Sequence, residues 1–276
     1  ICRRVIVWIV KLEKQILYMD TPRPLILITN DDSIEAKGLH CLIEAVSGLG
    51  DVIVVAPDDP QSGQSSSLSV NRPLRITEHP DYHGARVFSV SGTPVDCVKL
   101  GLHAVVPRKP SLLLSGINHG SNSGNAITYS GTMGAAIEGC TVGVPSVGFS
   151  LLHHSLKADF SMGLPFVRSI VEKVLASGLP HGVCLNVNIP AKVVPEGIKV
   201  CRAARGHWSE EYRRYLDPNG KPFYWLTGRF CNDEPDAVDT DEYWLSHNYI
   251  SVVPATPDQT DFGAMPGVAR LLGLGS

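Results

Sequence analysis

PLILITNDDSIEAKGLHCLIEAVSGLGDVIVVAP, residues 24–57, is the stretch on which the reading of the fold turns. Two apolar runs, 24–30 and 51–57, enclose a segment in which Leu39, Leu42, Ile43 and Val46 recur at helical spacing. Both runs are too short for ordinary helices, and they are continuous rather than alternating. That is the pattern of strands buried on both faces of a sheet. Lys37–Leu49 is the expected helix between them. A strand, a helix and a second strand in this length make a right-handed crossover unit with parallel strands.

The same alternation continues downstream. Residues 58–69 form a loop rich in Ser and Gly, and ARVFSV (85–90) is a further strand. Thr93-Pro94-Val95-Asp96 reads as a helix start, with Thr93 as N-cap, Pro94 at the first helical position and an acid three residues after the cap. SLLLS (111–115), PSVGFS (145–150) and VCLNVNIP (183–190) are strands; Thr132–Cys140 and Ser161–Ala176 are the helices between them. Residues 24–190 thus read as a doubly wound α/β layer.

Composition agrees. Of 276 residues 43% are hydrophobic and 18% charged, while Gly and Pro together number 46. This suits a well-buried, turn-rich α/β protein and not a coiled coil or helical bundle. A formal net charge of −3 excludes a strongly basic nucleic-acid binder and a polyacidic tail protein. Seven scattered cysteines without a C-x-x-C spacing argue against a disulfide framework or structural zinc, so the expected setting is a reducing cytoplasm. No apolar run reaches the roughly 20 residues that cross a bilayer.

Residues 1–23 are expected to be an extension outside the fold. Val5–Val10 is shorter than the apolar part of a signal peptide, and Met19 is a plausible start. The core is expected over 24–205 and an oligomerisation arm, returning strand and tail over 206–276. Residues 207–249 hold 10 of the 19 aromatics, and Tyr212 and Tyr215 face Phe223 and Trp225 across Asp217-Pro218-Asn219-Gly220, a hairpin signal. A strand, NYISVVP (248–254), then returns to the sheet.

In open parallel sheets, ligands bind beyond the carboxyl ends of the strands. Three apolar runs are followed there by oxygen-bearing side chains: Thr29-Asn30-Asp31-Asp32 after the first, Gln61-Ser62 after the second, and Asn118 after SLLLS. Adjacent carboxylates at the end of a buried strand are costly unless neutralised. Asp31 and Asp32 would supply charge to a hard dication, Mg²⁺ or Mn²⁺, with Ser62 and Asn118 as neutral oxygen donors. Taken alone, an Asp pair is also an ordinary turn or helix cap. Ser130-Gly131-Thr132 opens the small-residue helix and can bind an anion or simply cap it. His119 lies in the site loop and could serve as acid or base; it and His153-His154 read equally as solvated or packed rings. No P-loop, dinucleotide fingerprint or G-x-S-x-G elbow is present, which disfavours kinases, P-loop NTPases, dehydrogenases and the usual α/β-hydrolases.

LILITNDDS, APDDPQSGQS, LLLSGINHGSNSGNAITYSGTMGAA and VPSVGFS, in this order, resemble the SurE family of stationary-phase survival proteins. The likeness runs from about Pro24 to Pro190. It implies a Rossmann-like, doubly wound, mostly parallel α/β fold with a C-terminal β-hairpin extension, and a metal-dependent phosphatase acting on nucleoside 5′-monophosphates, in some members also on polyphosphate ends. It implies one divalent ion per subunit on Asp31, Asp32, Ser62 and Asn118, with Asp31, Asp32 and Asn118 catalytic. It places Asn122, Ser130, Gly131 and Thr132 at the substrate phosphate. It also implies a homodimer or homotetramer, with no duplex nucleic acid and no membrane as partner. Two departures from the family pattern stand out: Ser33 replaces a Gly, and the loop before Ser62 lacks an Arg often found there. The rival readings are a phosphatase with Asp31 as covalent nucleophile, which the adjacent rather than D-x-D spacing disfavours, and a non-catalytic metal or nucleotide sensor.

Overall fold

Residues 23–155 and 157–274 are described by a computed structural model, so the N-terminal extension with Val5–Val10 and Met19 lies outside the described residues. In chain order the elements are β1 (Leu25–Thr29), α1 (Lys37–Val46), β2 (Asp51–Pro57), β3 (Ile76–Tyr82), β4 (Ala85–Val90), α2 (Pro94–Leu100), β5 (Leu112–His119), α3 (Gly131–Thr141), β6 (Ser146–Leu151), α4 (Leu164–Ser177), β7 (Cys184–Ile189) and β8 (Ile198–Val200). Then come β9 (Gly206–Ser209), β10 (Tyr212–Leu216), β11 (Pro222–Leu226), β12 (Arg229–Asn232), α5 (Asp241–Ser246), β13 (Ile250–Ala255) and α6 (Met265–Leu271).

One nine-stranded sheet has the order β3-β4-β2-β1-β5-β6-β7-β13-β8. The six strands from β4 to β7 in that order are mutually parallel. In chain order they run third, second, first, fourth, fifth, sixth, which is the Rossmann winding. Its direction reverses between the first and fourth strands, here β1 and β5, and a crevice opens at that point. β3 is antiparallel to β4 at one edge, and β13 is antiparallel to β7 near the other. The expected α/β class is therefore the one observed.

The continuous apolar character of β1 has a simple cause. Ile26 and Ile28 pack on one side, with Leu39, Leu42 and Ile43 of α1 and Val167 and Val171 of α4. Leu25 and Leu27 pack on the other, with Cys97 and Val98 of α2 and Ala135 of α3. All four β1 side chains are at most 2% exposed, and burial of each stabilises the fold by about 2 kcal/mol. The capping box at α2 forms as read: Thr93 Oγ1 accepts from the Asp96 amide, and Asp96 accepts from the Thr93 amide.

Boundaries differ in places. α1 ends at Val46, before Leu49, because Gly48 turns the chain with φ 82° and Gly50 lies against the Pro24 carbonyl, where a Cβ would come within 2.3 Å. β5 extends four residues beyond Ser115, and its register against β6 shifts between Ser115 and Asn118. The expected hairpin is present, with Tyr215 opposite Phe223 and Arg213 opposite Trp225. Of its turn residues only Gly220 has positive φ, and Asp217 and Lys221 close a wider loop than a two-residue turn. β9 and β12 continue the same ribbon toward its base.

Candidate active site

β1 ends at Thr29, and the chain leaves the sheet at the β1–β5 crevice carrying Asp31 and Asp32. Asp31 is 4% exposed. Its Oδ1 accepts a hydrogen bond from Thr132 Oγ1 at 2.6 Å, at the start of α3. Gly131 makes this approach possible, since a Cβ there would lie 2.8 Å from Asp31 Cβ. Burial pushes the Asp31 carboxyl up to about 6; the Thr132 hydroxyl opposes this and the neighbouring Asp32 charge adds to it. Among the described residues no basic group acts on it.

Asp32 meets the end of the neighbouring strand. Its Oδ2 takes the His119 backbone amide at 3.0 Å and pairs with His119 Nδ1 at 3.0 Å. The His119 ring is also held edge-on by Phe160, at 5.1 Å between centroids. Asn118, one residue earlier on β5, donates through Nδ2 to the Gly120 carbonyl, and its Oδ1 has no partner among the described residues. The loop after β2 joins the same end of the sheet, because the Gln61 amide donates to the Asp31 carbonyl at 2.7 Å. Ser62 lines a cavity of about 520 Å³ together with Asp32, Lys37, His119 and His154.

This arrangement tests the site against a metal. A desolvated carboxylate without a cationic partner, a second carboxylate beside it, an exposed hydroxyl at Ser62 and an unpaired amide oxygen at Asn118 form a donor set suited to a hard dication. Among the described residues no three His, Cys, Asp or Glu side chains are grouped so that they alone could hold a metal ion. A metal here would therefore rest on two carboxylates and neutral oxygens.

Two supporting features were not legible in advance. The Ser- and Gly-rich loop after β2 is tied down: Ser65 Oγ donates to the Thr128 carbonyl, Thr93 Oγ1 to the Ser67 carbonyl, and Asp96 accepts from the Ser69 amide. α3 is built of small residues because Gly134 lies against the Ser65 carbonyl, where a Cβ would come within 2.1 Å. Asn122 sits in a buried network on the far side. Its amide donates to Asn188 Oδ1, its Nδ2 to Ser150 Oγ, and its carbonyl accepts from Asn186 Nδ2. The acidic stretch near residue 240 also reaches this loop: Asp241 accepts from the Gly124 amide and Glu242 from Ser123 Oγ. Burial raises the Asp241 carboxyl, and three backbone amides, those of Gly124, Ala204 and Glu242, oppose the rise.

The structure thus joins β1, the loop after β2, the end of β5 and the start of α3 at one crevice; the widest of these links, Asp31 to Thr132, spans 101 positions of the chain. The profile of the family described as Survival protein SurE matches residues 26–210. The chain belongs to the SurE family. A relative named 5′-nucleotidase SurE, from Phocaeicola vulgatus, is 48% identical over 90% of this chain and 96% of its own. Another of that name, from Christiangramia forsetii, is 49% identical over 88% and 94%. The crystal structure of SurE protein from Aquifex aeolicus superposes with a TM-score of 0.78 at 38% identity, covering 90% of this chain and all of that one.

Within the SurE frame, the Ser33 departure acquires a physical meaning. Its φ is 87°, a conformation that glycine adopts freely and serine does not, so this chain carries backbone strain directly after the Asp pair. The Asn30 side chain donates to the Ser33 carbonyl at 2.8 Å and holds the turn. The hydroxyl of Thr132, a residue expected at the substrate phosphate, donates to Asp31 in this structure. Ser130 Oγ accepts from the Met133 amide as an N-cap, which leaves its own O–H free to donate. Asn122 is not among the residues lining the cavity.

Proposed function

We propose that the chain hydrolyses nucleoside 5′-monophosphates to nucleoside and phosphate with one divalent metal ion, Mg²⁺ or Mn²⁺, held by Asp31, Asp32, Ser62 and Asn118. The activity class is that of its named relatives, a 5′-nucleotidase and hence a phosphoric monoester hydrolase. The observation that carries the metal is Asp31, a buried carboxylate raised to about 6 beside a second carboxylate and without a cation of its own. A bound dication supplies charge against the developing negative charge of the phosphoryl oxygens and acidifies water.

The protein's own groups do the rest. Thr132 orients Asp31 and favours its ionised form. His119 orients Asp32 through two contacts, its backbone amide and its Nδ1. Ser130 O–H and the first amides of α3 face the anion end, as the partnerless N–H groups of a helix start do. Asn122 acts at one remove, by fixing the loop from Asn118 to Gly124 to β6 and β7.

The assembly is proposed to be a homodimer or homotetramer. Tyr212, Tyr224 and Trp225 of the arm are 67%, 61% and 65% exposed, and α6 has no buried residue. Contiguous exposed aromatics of this kind mark interfaces. No helix among the described residues is long and apolar enough to cross a membrane.

The test is phosphate release from a panel of nucleotides and polyphosphate with Mg²⁺, Mn²⁺ or excess chelator. Metal-dependent release from nucleoside monophosphates is expected. Nucleotide binding without turnover under every metal would instead support the sensor reading.

A further inference from the structure

The cavity beside Asp32 is lined by two aromatic rings, and only one of them is exposed. His119 is buried, its side chain only 8% exposed, tied to Asp32 through Nδ1 and edge-on to Phe160, with Nε2 buried and unpaired. His154 is different. It is exposed, and neither ring nitrogen has a hydrogen-bond partner and no aromatic ring packs on it among the described residues. It is nevertheless fixed in place from one side. Gly120, with φ 114°, lies against it so closely that a Cβ there would fall 2.6 Å from His154 Cε1 and 2.7 Å from Nδ1. Gly120 follows Asn118 by two residues, at most about 7 Å of chain. The ring lines the same cavity as Asp32 and Ser62, two of the proposed metal ligands.

The other walls do not compete for this role. Lys37 Nζ is held by the Ala158 carbonyl at 2.6 Å. Glu35, Ala36 and Pro60 offer no π-face, and the carboxylate of Glu35 disfavours phosphate near it. We propose that His154 is the platform on which the substrate's nucleobase stacks, and so a specificity-determining residue. The inference rests on the nucleotidase reading. A flat ring recognises any base by its π-face and larger bases more strongly, so it supplies a preference for purine over pyrimidine nucleotides rather than a hydrogen-bond code.

The experiment compares adenosine 5′-monophosphate with ribose 5-phosphate, which keeps the phosphate and sugar but lacks the base. In the full-length enzyme with Mg²⁺ or Mn²⁺, His154→Ala should lower the ratio of kcat/KM for the two substrates about tenfold, mostly through KM, as loss of one stacked ring does. The purine-to-pyrimidine ratio should fall with it. His154→Phe should restore both ratios and His154→Leu, equally bulky, should not. Equal losses on both substrates, or rescue by Leu as good as by Phe, would mean that His154 only packs over Gly120, and would overturn the proposal. Binding supplies a second readout independent of turnover. In His154→Trp, adenosine 5′-monophosphate should quench the new indole fluorescence and ribose 5-phosphate should not; equal quenching by both overturns the proposal. If the wild type hydrolyses neither ester, the nucleotidase reading fails, and the quenching experiment alone decides the stacking.

Discussion

The β1–β5 crevice and the 207–228 arm use their side chains in opposite ways. At the crevice the side chains that place the carboxylates and the site loop are paired inside the chain: Thr132 to Asp31, His119 to Asp32, Asn122 to Ser150 and Asn188. Along the arm, Tyr212, Leu216, Tyr224, Trp225 and Leu226 are all more than half exposed. The ribbon satisfies its backbone through β10 and β11 and leaves its rings without cover, as an isolated two-stranded hairpin must. A site that depends on placement is fully determined by one chain, whereas a surface that depends on area is left incomplete by it.

Breaking the crevice should give the largest effect. Asp31→Asn keeps shape and can still accept from Thr132, but removes charge where a dication is proposed; hydrolysis should fall about 10³-fold or more. The same change should stabilise the metal-free protein. Because the folded carboxyl titrates near 6 and the ordinary value is 3.8, the unfolded chain loses its proton first. This group's favourable share is therefore present below about pH 4 and is lost as pH rises through 6, a difference of about 3 kcal/mol by neutral pH. Thermal melts in chelator should show the Asn variant above wild type at pH 7.5 and level with it near pH 4. Added Mn²⁺ should raise only the wild type. A variant that melts lower in chelator at pH 7.5 would contradict the desolvated carboxylate.

A smaller loss is expected one step out. Thr132→Val removes the donor to Asp31 and should cost roughly 10- to 100-fold in kcat/KM, the worth of a hydrogen bond to a charged group. Metal titration should weaken in parallel. Unchanged metal affinity with a raised KM for nucleotide would return Thr132 to the phosphate.

The arm is sharpened by excision. Replacing residues 209–226 by a short Gly-Ser link should lower the mass in light scattering by about two- to fourfold. Metal-dependent hydrolysis should survive, because none of these residues lines the cavity. An unchanged mass would show that the rings are covered in another way.

The smallest effect belongs to Ser33. Ser33→Gly relieves the φ of 87° and should stabilise the protein by about 1 kcal/mol, less the entropy that glycine adds to the unfolded chain. Chemical denaturation resolves a change of that size.

What could be read in advance follows the same division. β1, β2, β5, β6 and β7 were legible because strands covered on both faces are apolar throughout. β3, ITEHPDY, was missed: it pairs on one side only, is largely exposed and carries Pro80 at its register shift, so it lacks both the apolar run and the alternation. The Asp pair, Ser62 and Asn118 could be singled out because they follow predicted strand ends, and the start of α3 because Ser130-Gly131-Thr132 opens a helix of small residues. The contact of Asp32 with His119 spans 87 residues, and nothing local encodes it; the winding of the sheet does. Asn186 and Asn188 were equally hidden. In a strand pattern they look like outward polar residues, yet both are fully buried beneath Asn122.

The hydrogen bond from the Gly124 amide to Asp241, across 117 residues, bears on how the enzyme emerges during synthesis. The six parallel strands are all translated by Ile189 and can assemble on the ribosome as a nascent sheet. The loop that carries Asn118 and Asn122 receives its clasp only when Asp241 and Glu242 have followed, and β7 gains its outer neighbour only with β13. The final fixing of this loop therefore waits on residues that follow the whole parallel sheet in the chain.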